Sequence, residues 1–443
     1  MSSRWSPRTM SRRVHERLDR SEIIYLVAPS GHPNYGDEVI ARAWLRHLAR
    51  ARPHATVVLD CHSPGQAALL LRSTHPRLVV TDTLWQLSIF ADEADPPPDP
   101  AIPPWEWVSQ AATRLGIAPR LSEGVGMLAE ASSLHLLGGG YLNRLWPHHV
   151  SLATAVAAVS KATGAPAHAT GQGLLPVFDR PRFDAFLTAA DEFAVFDVRD
   201  SGSRDAIADV SGLRDSGDDA WLAVGIGDGG PIATPDTPVQ TDSETVILCV
   251  QSDLTESFTV GGTTGPDALA LRVRELLDHW EVPGTAVAVV EGIPGEDARV
   301  PGLLADRLEG STFLSFHDVW RKGLPAGNGS TWISSRFHPH LIAAAAGDSG
   351  VALVASTDYY ATKHRSLVEA GSAWSVLGAD GALPSRPDAG GFAPADRARA
   401  IAAKHVVAEE LYPTRTPRQA IVDRAAAHAI DREAAALRPG TVD

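Results

Sequence analysis

One pattern constrains this chain more than any other. A short apolar run ends, a glycine, an acid or an arginine follows, and apolar residues then recur at helical spacing. In the first half, residues 23–28 read as a strand and residues 37–50 as a helix, with Val39, Ile40, Ala43, Trp44, Leu45 and Leu48 along one stripe. Strands at 55–60, 77–80, 132–137, 166–170 and 193–196 follow, with helices at 64–73 and 149–163. The second half repeats the alternation. It has strands at 246–251, 285–291, 312–316, 331–334 and 351–356, and helices at 266–280 and 338–347. Strands separated by helices pair in parallel, with the helices covering both faces of the sheet.

Two such series exceed one core. A chain of 443 residues fits two domains of roughly 100–200 residues each. The boundary falls at 225–245, "GIGDGGPIATPDTPVQTDSET", where Gly, Pro, Thr and Asp crowd out apolar residues. The sequence therefore predicts an α/β protein of two Rossmann-like domains facing a cleft, at 23–224 and 246–382. A basic segment at 1–22 precedes them, and a linker with extra C-terminal helices at 396–411 and 416–437 fills 383–443. The stretch "PPPDPAIPP" at 96–104 excludes regular structure and is read as a surface excursion. Tandem α/β halves hold ligands in the cleft between them, at the carboxyl ends of the strands.

Composition narrows the function classes. The net charge of −14, from 39 basic and 53 acidic side chains, disfavours nucleic acid as the main partner. A small anionic substrate remains compatible with it, because a local basic pocket can sit inside an acidic protein. Cys61 and Cys249 fall in different predicted domains, which suits a reducing cytoplasm and neither a disulfide framework nor a zinc site. No run of about 18 apolar residues predicts a transmembrane helix. The first 20 residues carry six arginines without an apolar core, so they are read as a solvated segment and not a signal peptide. The expected location is cytoplasmic, with peripheral contact at the inner face of the membrane as a further reading.

Five strand-to-helix junctions carry chemistry. At "NYGDE", Asn34 to Glu38, Asp37 is expected to cap the helix and Gly36 to supply a permissive backbone. The two acids suit hydroxyl recognition or general-base work better than phosphate binding. Gly138, Gly139 and Gly140 allow close approach, but their spacing fits neither a dinucleotide fingerprint nor a phosphate-binding loop. Gln172, between two glycines, is read either as an amide aimed at a ligand or as part of a structural turn. Arg199 is read as an ion pair or as a bidentate anion clamp. In "STWISSRFHPHLIAAAAG", Arg336 and His338 open a helix, where a small phosphate or carboxylate finds unpaired N–H groups, a fixed cation and a proton-transfer group. His340 is read as structural.

Together these segments resemble the polysaccharide pyruvyl transferase family. The matching pieces are "NYGDE", "LLGGGYLN", "GQGLLP", "VRD", "SSRFHPHLIAAAAG" and "TDYYATKHRSLVE", in order over residues 23–370. The resemblance implies a GT-B-like architecture. It also implies transfer of pyruvate from phosphoenolpyruvate, the donor substrate, to a sugar as a cyclic ketal. The acceptor is a cell-envelope glycan, an exopolysaccharide or a lipid-linked precursor, and no cofactor is expected. Carried over, Arg336 and His338 contact the donor as catalytic residues, with Arg199 and Lys363 as further basic positions. Asn34, Asp37, Glu38, Gly139, Gly140 and Gln172 are expected on the substrate-binding surface. The phosphate is expected on the second domain and the acceptor on the first. The rival readings are a nucleotide-sugar glycosyltransferase or epimerase of the same architecture, and a non-catalytic glycan-binding relative.

Overall fold

The computed structural model describes residues 22–224, 241–356, 360–388 and 390–414. The predicted basic segment up to residue 21, linker residues 225–240 and the predicted helix 416–437 lie outside the described residues.

Two parallel sheets form the molecule. The first contains β1 (Ile23–Ala28), β2 (Thr56–Cys61), β3 (Leu78–Thr81), β4 (Ser133–Leu136), β5 (Ala167–Gln172), β6 (Val195–Val198) and β7 (Leu213–Asp215), in the order β3-β2-β1-β4-β5-β6-β7. In the second half, β9 (Thr259–Val260) and β10 (Thr263–Thr264) form a small separate hairpin. The second sheet contains β8 (Val246–Cys249), β11 (Val287–Val290), β12 (Thr312–Leu314), β13 (Thr331–Ser334), β14 (Ser349–Leu353) and β15 (Ser375–Leu377), in the order β12-β11-β8-β13-β14-β15. Each order reverses beside its first strand, the arrangement that opens a crevice at the carboxyl ends. The central strands are buried on both faces, which explains why they read as continuous apolar runs, while the edge strands β3, β7 and β12 are partly exposed.

One apolar cluster runs through both domains. It joins Trp44 and Leu48 of the helix Tyr35–Ala51 to Trp221, Trp332, Leu341 and Ala408. The helix Pro394–Leu411, last in the described chain, thus returns to the first domain. The proline-rich excursion lies between the helices Thr83–Glu93 and Pro104–Thr113, and its last proline, Pro104, is helical and opens the second of them. Proline fits the first turn of a helix, where its missing N–H is not needed.

Candidate active site

The strand ends of both domains face a cleft of about 520 Å³. The first turn of the helix Tyr35–Ala51 lines it. Asn34, not Asp37, caps this helix, accepting the Gly36 N–H at 3.2 Å. The Tyr35 N–H donates across the cleft to the Gly292 carbonyl at 2.9 Å, tying the two domains together. Gly36 has ordinary helical geometry, so the expected need for a permissive backbone is corrected. A Cβ there would lie 1.8 Å from His338 Nδ1, so the need is for close approach. Asp37 lines the cleft; burial pushes its carboxyl up, against the pull of His338 and Lys363. Glu38 is not among the lining residues. It is fully buried and binds Ser30 Oγ and the Gly31 N–H, shaping the loop after β1.

Three basic side chains converge from the two domains. Arg199, after β6, lies 3.5 Å from Asp218 and 3.4 Å from Asp200, with its guanidinium 4.4 Å over the Phe337 ring. His338 Nε2 is 3.3 Å from Asp218 Oδ1. Burial pushes Asp218 up, but His338 and Arg199 outweigh it and hold the carboxyl well below its usual range. Lys363, on the helix Tyr360–Glu369, completes the group; burial and the neighbouring Arg199 pull its ammonium well below the usual lysine range. The glycines make room for these cations. A Cβ on Gly173 would lie 2.3 Å from Arg199 Nε, and one on Gly140 would lie 2.9 Å from Lys363 Nζ. Gly139 serves through its backbone, donating to the Gly171 carbonyl and accepting the Gly173 N–H.

Two expectations resolve differently. The Gln172 amide turns inward and donates to the carbonyls of Leu136, Leu137 and Thr170, so the structural-turn alternative is the one seen. Arg336 lines the cleft, but its guanidinium is engaged. It bonds the buried Asp297 at 2.6 and 2.9 Å and the part-exposed Asp253 at 2.6 and 3.2 Å. The cations also do not sit on the second domain alone, because Arg199 comes from the first. His340 lies away from the cleft, against His364 at 3.0 Å.

Sequence reasoning missed Asp218, Asp253 and Asp297. "GDDAW" was the available signal for Asp218, two acids after a short strand and before an apolar turn. It also missed the far wall, formed by Trp85, Tyr141, Trp146, His62, His148 and His149. Trp146 stacks on His149 at 6.1 Å and 13°. Burial, with His148 beside it, pushes the His149 imidazole down to about 3, and burial also lowers His62 and His148. Trp85, Tyr141 and His149 are buried in this wall, so Trp146 and the neutral imidazoles of His62 and His148 are the groups it presents.

The family model for polysaccharide pyruvyl transferase matches residues 34–243, just under half of the chain. The resemblance to that family is thereby shown. The match spans Asn34, Asp37, Arg199 and Asp218, while Arg336, His338 and Lys363 lie beyond it. No curated protein matches the chain. Among solved structures, UDP-N-acetylglucosamine 2-epimerase from Rickettsia bellii is 11% identical, with 88% of this chain and 96% of that one covered and a TM-score of 0.50. The UDP-GlcNAc 2-epimerase from Neisseria meningitidis bound to UDP-GlcNAc is 10% identical, covering 89% and 95%, with a TM-score of 0.46. The Rickettsia likeness supports the two-domain GT-B-like architecture. Among the described residues, no helix is long and apolar enough to cross a membrane.

Proposed function

We propose that the chain moves pyruvate from phosphoenolpyruvate onto two hydroxyls of a sugar, forming a cyclic ketal on a cell-envelope or exopolysaccharide glycan or its lipid-linked precursor. The observation that carries this reading is the meeting of Arg199, Lys363 and His338, from both domains, with Asp37 in one cleft, and with the buried Asp218 paired to Arg199 and His338. Phosphoenolpyruvate brings a carboxylate and a phosphate on one small frame, and paired cations beside a histidine suit that charge.

The reaction forms two C–O bonds from sugar hydroxyls to the enol carbon and breaks that carbon's bond to the phosphate oxygen. The methylene carbon gains a proton and becomes a methyl group. Two hydroxyl protons are released; one balances that gain and the other leaves with phosphate. Arg199 and Lys363 hold the anionic groups, and His338, oriented by Asp218 3.3 Å from its Nε2, delivers the proton. Asp37, raised by burial, accepts a hydroxyl proton. Arg336 joins the donor once Asp253 gives way. The acceptor ring rests against Trp146, whose face suits sugar C–H surfaces, while the neutral imidazoles of His62 and His148 bond its hydroxyls. The reading uses no resident cofactor. It places the work in the cytoplasm, at the inner membrane face when the acceptor is lipid-linked.

Phosphate release from phosphoenolpyruvate, measured with a panel of envelope glycans, tests the proposal. Release is expected to require an acceptor and to fall by at least ~100-fold in folded His338→Ala and Lys363→Ala proteins. Wild-type rates in both variants would overturn the assignment.

A further inference from the structure

The helix Pro394–Leu411 follows the second sheet in sequence yet delivers Lys404 beneath the first. Lys404 is fully buried. Its ammonium lies 2.7 Å from Asp197 Oδ2 and 2.9 Å from Asp219 Oδ1, and both carboxylates are equally buried. Each carboxylate holds one glycine loop. Asp219 accepts the Gly138 N–H at 2.9 Å, together with Thr170 Oγ1 and Trp44 Nε1. Asp197 accepts the Gly171 N–H at 3.0 Å, together with Ser216. These loops present Gly140 and Gly173, whose missing side chains leave the space that Arg199 occupies. Asp218, the residue before Asp219, pairs with Arg199 and His338.

An ammonium buried between two carboxylates is a poor way to gain stability, since apolar packing often does as well. What it does supply is direction, because one cation fixes two carboxylates and each of these fixes a backbone N–H.

We infer that Lys404 is a positioning residue that staples the two glycine loops together and so sets where Arg199 lies in the cleft and where Asp218 lies beneath it. The helix that follows the family-like segments is thus part of the site's construction. The consequence for donor binding rests on the proposed function; the staple itself does not.

The test compares Lys404→Met and Lys404→Arg in the full-length chain. Hydrogen exchange is followed in peptides spanning 136–143 and 169–176, with β8 as the internal control. In the Met variant, exchange at the two loops is expected to speed up about tenfold or more while β8 stays unchanged, and the Arg variant should restore most of the protection. Phosphoenolpyruvate affinity should fall about tenfold or more with Met and recover with Arg. Wild-type exchange at the loops in the Met variant, or faster exchange spread evenly over both sheets, would overturn the inference. A wild-type protein that binds no phosphoenolpyruvate would count against the proposed function and leave the exchange result to decide the staple. If the Met variant does not fold, Asp197→Asn/Lys404→Met removes one carboxylate with the ammonium, and its loop exchange is read in the same way.

Discussion

A methyl group on Gly36 would sit 1.8 Å from His338 Nδ1, so the imidazole packed on this residue decides its identity. Gly36→Ala is expected to lower turnover by ~100-fold, because a displacement of about 1 Å at a reacting group costs that much. Helix propensity runs the other way, favouring alanine by about 1 kcal/mol, so the melting temperature should hold. Phosphate release and melting, measured on one sample, check this; a folded variant with wild-type turnover contradicts it. Arg336 poses a second question at this scale. Asp253 holds one side of its guanidinium, and Leu254 beside it has φ 54°, which is strained for a leucine. An incoming anion must compete with that carboxylate. Asp253→Asn is therefore expected to tighten phosphoenolpyruvate binding about three- to tenfold, read by calorimetry. Weaker binding would show that Asp253 supports the guanidinium more than it competes for it.

The helices that carry His338 and Lys363 are joined by buried imidazoles. His340 Nδ1 meets His364 Nδ1 at 3.0 Å, and His340 Nε2 meets Ser372 Oγ at 2.9 Å. Burial pushes His364 down to about 4, so the native state refuses a proton that the unfolded chain accepts below about 6.5. Stability from this group is complete above the unfolded value and is lost as the pH falls from about 6.5 to 4. Glu38 and Asp60, each raised to about 7 by burial, act with the opposite sign, so the comparison has to be made against a variant. Relative to wild type, His364→Asn should gain about 3 kcal/mol between pH 6.5 and 4. Denaturant melts across that range check it, and parallel curves would contradict it. The elements themselves were largely legible, because buried parallel strands and amphipathic helices write themselves as period and composition. Helix starts were less so: Asp37 and Asn34 are both good caps by chemistry, and only the geometry of the turn separates them.

At the scale of the molecule, the two-sheet architecture and its cleft followed from the alternation, and the strand-end positions led to Asp37, Arg199, Arg336 and His338, while Lys363 came from the family resemblance. Partners far apart in sequence did not. Asp218 meets His338 across 120 positions and Lys404 meets Asp197 across 207, and no local pattern encodes such pairings. The aromatic wall was hidden for the same reason, since Trp85 and Trp146 read as ordinary apolar residues until the fold brings them to one cleft. The proposed function requires that cations from both domains together form a site for the donor anion. Calorimetric titration of phosphoenolpyruvate and of UDP-N-acetylglucosamine into the wild type and Arg199→Ala/Lys363→Ala tests it most directly. The wild type is expected to bind phosphoenolpyruvate, the folded double variant is not, and neither is expected to bind the nucleotide sugar. Nucleotide-sugar binding by a wild type indifferent to phosphoenolpyruvate would contradict it.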